Sequence, residues 1–154
     1  MQSGSYIWNI TLEILWSYAD DGEEEYEDFV INPTKKIVNS IKNKYPGLPI
    51  IGFPRGSGYL YQEYIDQINI DAIGVDQFVP VDIIKKWQEN IIVQGNFDPV
   101  LLLGGKEVIE KKAHDILTTL SNKNFIFNLG HGILPNTPVE NVQFLVNYVR
   151  NYQK

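Results

Sequence analysis

Short apolar runs alternate with longer amphipathic segments five times along this chain, and that alternation restricts it to folds built of βα units. The strand-like runs are residues 12–15, 49–53, 71–75, 91–94 and 125–127. Helical patterns follow them at about residues 24–45, 58–68, 81–89, 106–121 and 139–152. Val108, Ile109, Ala113, Ile116 and Leu117 fall on one helical face, as do Val142, Leu145, Val146 and Val149. Spacings of three and four mark these as core stripes. Five consecutive βα units imply a parallel sheet. Two architectures satisfy that pattern: a self-contained doubly wound sheet, or part of a (β/α)8 barrel. A barrel takes about 31 residues per unit, so five units occupy about the 154 residues present, and length does not separate the two.

In either architecture the chemistry gathers at the carboxyl ends of the strands. Trp16-Ser17-Tyr18 follows the first strand, and Pro54-Arg55-Gly-Ser57-Gly58 the second. Asp76-Gln77-Phe78 follows the third, Gly95-Asn96-Phe97-Asp98-Pro99 the fourth, and Asn128-Leu-Gly-His131-Gly-Ile-Leu-Pro135 the fifth. A histidine between two glycines at a strand end is poorly explained by packing alone, because glycines let a ligand or a strained backbone come close. Each of the others also has a local reading. Asp98 before Pro99 fits a helix N-cap with a first-turn proline, Asn96 fits a turn cap, and Asp76 fits a backbone acceptor. Gly56-Ser57-Gly58 lacks both the P-loop lysine and the dinucleotide spacing. His114, mid-helix among charged neighbours, reads as a surface residue.

Composition excludes several function classes. With formal charge −6 and only Arg55 and Arg150 as arginines, the chain lacks the clustered cations that nucleic acid requires. Without cysteine there is no disulfide, thiolate nucleophile or Cys-ligated zinc. No His-x-x-x-His or acidic triad suggests a metal, and the acidic stretch 20–25 suits a helix start. The first residues lack a signal-peptide pattern, and no apolar run approaches the ~20 residues of a membrane span. One domain over residues 1–154, cytoplasmic, is the expectation.

Phe127-Asn-Leu-Gly-His131-Gly-Ile-Leu-Pro135, Gln94-Gly-Asn96-Phe-Asp98-Pro99 and Phe53-Pro-Arg55-Gly-Ser-Gly58, in this order and spacing, resemble the uroporphyrinogen decarboxylase family from about residue 12 onward. The resemblance implies the C-terminal portion of a (β/α)8 TIM barrel, usually a homodimer. It implies a carboxy-lyase of haem biosynthesis that takes uroporphyrinogen III to coproporphyrinogen III without metal or prosthetic group. His131 corresponds to the family histidine that lies against the substrate. Ser17 corresponds to a serine or threonine in a Phe-[Asp/Glu]-Ser-x-Ala-Gly motif, here Leu15-Trp16-Ser17-Tyr18-Ala19-Asp20, with Trp16 and Asp20 departing from it. Asp76-Gln77-Phe78 departs from the usual Asp-Trp-Thr/Ser.

The expected substrate-binding set is His131, Ser17, Arg55 and Asn96, facing a porphyrinogen, with no catalytic residue assigned and no metal or cofactor. The family's substrate-binding arginines, aspartate and tyrosine lie in an N-terminal half with no counterpart here. The isolated chain is therefore expected to be incomplete, and to associate with itself or with such a half. Two other readings remain: a corrinoid or thiol methyltransferase of the same superfamily, which usually needs Cys ligands, and a non-catalytic remnant or assembly piece.

Overall fold

A computed structural model describes residues 10–13 and 23–153. The chain divides into two compact units, residues 1–73 and 74–154.

In the first unit β1 (Ile10–Glu13), β2 (Ile50–Phe53) and β3 (Ala72–Gly74) pair in parallel in chain order. The register places Leu12 beside Gly52 and Gly52 beside Ile73. Ile50, Ile51, Ala72 and Ile73 are all buried, as strands covered on both faces require. Gly52 is needed for space: a Cβ there would lie 2.6 Å from the Tyr64 ring. Tyr64 is buried on α3 (Tyr61–Gln67), and burial pushes its phenol up to about 12.

Between β1 and β2 runs one helical stretch with a change of winding. It comprises α1 (Glu23–Tyr26), a π-helical turn (Glu27–Ile31) and α2 (Asn32–Lys44). Pro33 near the start of α2 cannot donate the i→i−4 hydrogen bond, and the wider turn lies directly before it. Tyr26, Val30, Ile31, Thr34 and Val38 still form one buried face. The periodicity shows this helix but not the π turn, because the buried spacing hardly changes.

The far end of this unit is tied by Asp71, whose carboxylate accepts hydrogen bonds from Lys42 Nζ and from the Ile50 N–H, the latter at 2.7 Å. Partial burial pushes this carboxyl up, but the Lys42 and Ile50 bonds outweigh burial and hold it below its ordinary value.

The second unit contains the end of β3, α4 (Val81–Trp87), β4 (Ile92–Phe97), α5 (Lys106–Leu120), β5 (Phe125–Leu129) and α6 (Val139–Arg150). The Val75 N–H donates to Gln94 O at 2.8 Å, and β4 pairs in parallel with β5 from Val93↔Phe125 to Phe97↔Leu129. Strands in each unit thus follow the order of the chain. A doubly wound sheet must reverse that order. Parallel strands succeeding one another, each followed by a helix, are the repeat of a (β/α)8 barrel, of which this chain is a part.

The core of the second unit includes Val93, Phe97, Leu102, Ile109, Ala113, Ile116, Leu117, Leu120 and Leu145. Four of the expected core residues are not in it: Val108 is 47% exposed and Val146 40% exposed, and Val142 and Val149 are half-buried. β5 is only half-buried, and among the described strands it pairs with β4 alone. Buried amides fasten the helices to the loops. Gln88 donates to Leu120 O at 3.0 Å, and Asn141 donates to Leu102 O at 2.8 Å and Gly104 O at 2.9 Å.

A carboxyl whose folded pKa is depressed stabilises the fold above its unfolded value and loses that contribution as pH falls through the folded one. Asp71→Asn should therefore cost less than about 1 kcal/mol at pH 7, since water screens a partly exposed pair. Thermal midpoints of wild type and variant should converge as pH drops below the ordinary value of 3.8. A gap that stays constant down to pH 2 would contradict the assignment.

Candidate functional site

The end of β4 organises the second unit's polar cluster. The sequence places Asn96 in a loop after the strand, but β4 continues through Phe97 and Asn96 lies within it. The strand begins with apolar residues and ends Gln-Gly-Asn-Phe, so an apolar run alone marks its end three residues early. The Gly95–Asn96 peptide is cis. Gly95 has φ +141°, and a Cβ there would lie 2.5 Å from Val75 O. Only glycine meets both conditions.

Asn96 is 4% exposed. Its Nδ2 donates to Val79 O at 2.9 Å and to Asp76 O at 3.4 Å, drawing turn 76–79 onto β4. Two carbonyls facing one end of the amide fix which end is nitrogen. The Oδ1 is buried with no hydrogen-bond partner among the described residues, as is Gln77 Oε1 in the same turn. Asp76, also buried, accepts the Phe78 N–H at 2.9 Å, which is the backbone role its strand-end position suggests.

Gly130 abuts this turn. A Cβ on it would lie 2.3 Å from Gln77 N, and its own N–H donates to Phe97 O at 2.8 Å. The two glycines around His131 therefore differ: Gly130 admits the backbone of residues 76–77, whereas a Cβ on Gly132 would meet nothing within 4 Å. His131 is half-buried, and its Nδ1 lies 2.8 Å from Gly132 O. A carbonyl accepts only, so Nδ1 carries the proton in the neutral ring and Nε2 is left as an acceptor. Once protonated, the ring presents an N–H at Nε2 to an anion.

Arg55 lies in the first unit, partly exposed in the turn after β2. That turn is stiffened by a hydroxyl chain: Tyr26 OH donates to Ser57 Oγ at 2.8 Å, and Ser57 Oγ donates to Pro54 O at 2.6 Å. Burial pushes the Tyr26 phenol far up from its ordinary value. Ser57 is thus engaged with the protein itself, and the Gly-Ser-Gly segment is a turn. Ser17 lies outside the described residues.

Asp98 is the N-cap of a 3₁₀ turn (Pro99–Leu103), accepting the Val100 N–H at 2.9 Å. His114 stands on α5 with its Nδ1 3.2 Å from Tyr148 OH. It borders an open 490 Å³ groove with Phe144, Tyr148 and Tyr152. No group of three or more His, Asp or Glu among the described residues is placed to hold a metal. In the sequence Gln77 stands out only as a departure from a motif, because a buried amide oxygen has no periodic or spacing signature.

The Uroporphyrinogen decarboxylase (URO-D) family model matches residues 22–152. The curated uroporphyrinogen decarboxylase of Rickettsia canadensis is 54% identical over 132 residues, which cover 86% of this chain and 39% of that protein. That of Rickettsia felis is 56% identical over 133 residues, covering 86% and 38%. That of Rickettsia bellii is 53% identical over 131 residues, covering 85% and 38%. The chain thus spans under two fifths of the length of these relatives. The matched stretch runs from α1 through α6, and the chain belongs to the uroporphyrinogen decarboxylase family.

Proposed function

We propose that this chain forms part of a uroporphyrinogen decarboxylase that takes uroporphyrinogen III to coproporphyrinogen III, with His131 as its ligand-facing group. The family match carries the activity, and the Nε2 left free by the Nδ1 contact with Gly132 O carries the residue. Arg55 and Ser17 are the further substrate-binding candidates; Asn96 has only its Oδ1 left to face a ligand, because its Nδ2 is held by Asp76 O and Val79 O. At each acetate arm the bond to the carboxylate breaks, CO2 departs, and the carbon that keeps the electron pair takes up a proton to become a methyl group. The pyrrole first accepts a proton so that the ring can receive those electrons, and it gives that proton up again once the methyl group has formed. His131 suits two parts of this sequence: holding a carboxylate of the substrate, or passing a proton through Nε2.

The substrate carries up to eight carboxylates, which call for several cations and preferably forked arginines. Arg55 and Arg150 are the chain's only arginines in a net charge of −6. Since the chain spans less than two fifths of its relatives, we infer that turnover needs groups from elsewhere in the full-length enzyme. β5 supports an associating surface. It is half-buried, pairs with β4 alone among the described strands, and flanks a 380 Å³ apolar groove lined by Phe127, Leu129, Val142, Leu145 and Val149. Apolar strand edges and grooves of this kind are covered in stable assemblies. The occupant we favour is a second copy or a complementary part of the same enzyme. No helix among the described residues is long and apolar enough to cross a membrane, and a cytoplasmic site of action is part of the proposal.

His131→Ala should weaken binding of uroporphyrin, followed by fluorescence, by about tenfold or more, the effect of losing a hydrogen bond to a charged group. The melting temperature should not fall, and His114→Ala should change neither. Coproporphyrinogen formation by the 154-residue chain alone should be far below that of a full-length relative. Full turnover by the chain, or equal binding losses in both histidine variants, would overturn this reading.

Sedimentation velocity over a concentration series should show association. A single monomeric species throughout would remove the β5 surface as an interface.

A further inference from the structure

We propose that Asn96 is the positioning residue for His131: it fixes turn 76–79, and that turn sets where Gly130, and with it His131, stands. The proposal rests on the reading of His131 as the ligand-facing group.

Both hydrogens of the Asn96 amide face backbone carbonyls, those of Asp76 and Val79, and the side chain is 4% exposed. A donor so committed has no N–H to offer a ligand. What it holds is informative. The turn it draws onto β4 is the one on which Gly130 rests, with Gln77 N where a Cβ would be. On its other side Gly130 is held by Phe97 O, and Phe97 is the residue after Asn96. Gly130 is therefore held between two supports that Asn96 joins, one through its side chain and one through its own strand. The next residue is His131. Its Nδ1 contact is to the carbonyl of Gly132, so the ring's orientation depends on the backbone path from Gly130 onward. A shift of turn 76–79 frees Gly130 to move and loosens that path.

Asn96→Asp keeps the shape of the side chain, removes both donors and sets carboxylate oxygens against two carbonyl oxygens. In the ¹⁵N-labelled 154-residue chain, long-range ¹H–¹⁵N spectra of the imidazoles report which ring nitrogen carries the proton. Wild-type His131 should show Nδ1–H. In Asn96→Asp the His131 Nδ1 resonance should move toward its unprotonated position, while His114, bonded to Tyr148, stays unchanged as the internal control. A change in overall stability alone would not produce this contrast. Should Asn96→Asp not fold, Gly130→Ala presses on the same turn from the other side with Asn96 intact, and the same shift is expected. An unmoved His131 signal in whichever variant folds overturns the proposal, as does a wild-type ring protonated at Nε2. If His131→Ala binds uroporphyrin as well as wild type while Asn96→Asp still shifts the His131 signal, the functional reading of His131 falls and the positioning role of Asn96 stands.

Discussion

The second unit depends on a close approach of backbones at the carboxyl ends of its strands. The peptide between Asp76 and Gln77 lies where a side chain on Gly130 would be, and Val75 O lies where one on Gly95 would be. Gly95 within β4 and Gly130 just past β5 thus give up side chains so that the segment after β3 can approach them. Once it has approached, its carbonyls are cut off from water and need donors. Asn96 supplies them to Asp76 and Val79. Packing creates the demand for hydrogen bonds, and one amide meets it. The position of His131 follows from both.

Much of this architecture was legible in the residues. Each βα unit has a counterpart in the structure, and α4, α5 and α6 begin at residues 81, 106 and 139, where the apolar periodicity begins. Those signals come from burial, which the sequence records directly. Strand ends were less legible. β4 runs on through Gly95 and Asn96 because a polar residue can sit within a strand when its amide finds carbonyls, and a hydrophobic pattern carries no trace of that. Val108 and Val146 occupy the right helical spacing yet stand exposed, since periodicity marks a face but not what covers it. The glycines beside His131 were conspicuous as a pair. Only the folded backbone separates Gly130, which makes room for residues 76–77, from Gly132, which does not.

Family membership and physical reading agree on different grounds. The match across residues 22–152 places the chain in its family, and the local geometry describes what this stretch holds. It offers an oriented imidazole on a braced strand end and an arginine on a turn stiffened by buried hydroxyls. It does not hold a concentration of positive charge, since Arg55 and Arg150 are its only arginines in a net charge of −6. A site whose ligand is highly anionic gains from distributing its cations over many strand ends, because crowding them on a few elements would repel within the scaffold before any ligand arrived.

Gln88, Asn96 and Asn141 share one habit: each is a buried, neutral amide whose nitrogen donates to main-chain carbonyls of another segment. Carboxylates or ammonium groups at these places would gain or lose protons as the medium changed, and the loops they hold would shift with them. Amides do not titrate in any range a protein survives. Under the function proposed above, in which protons move on and off the ligand, such amides keep proton exchange out of the framework, so that acidity alters the reacting groups and leaves their spacing alone.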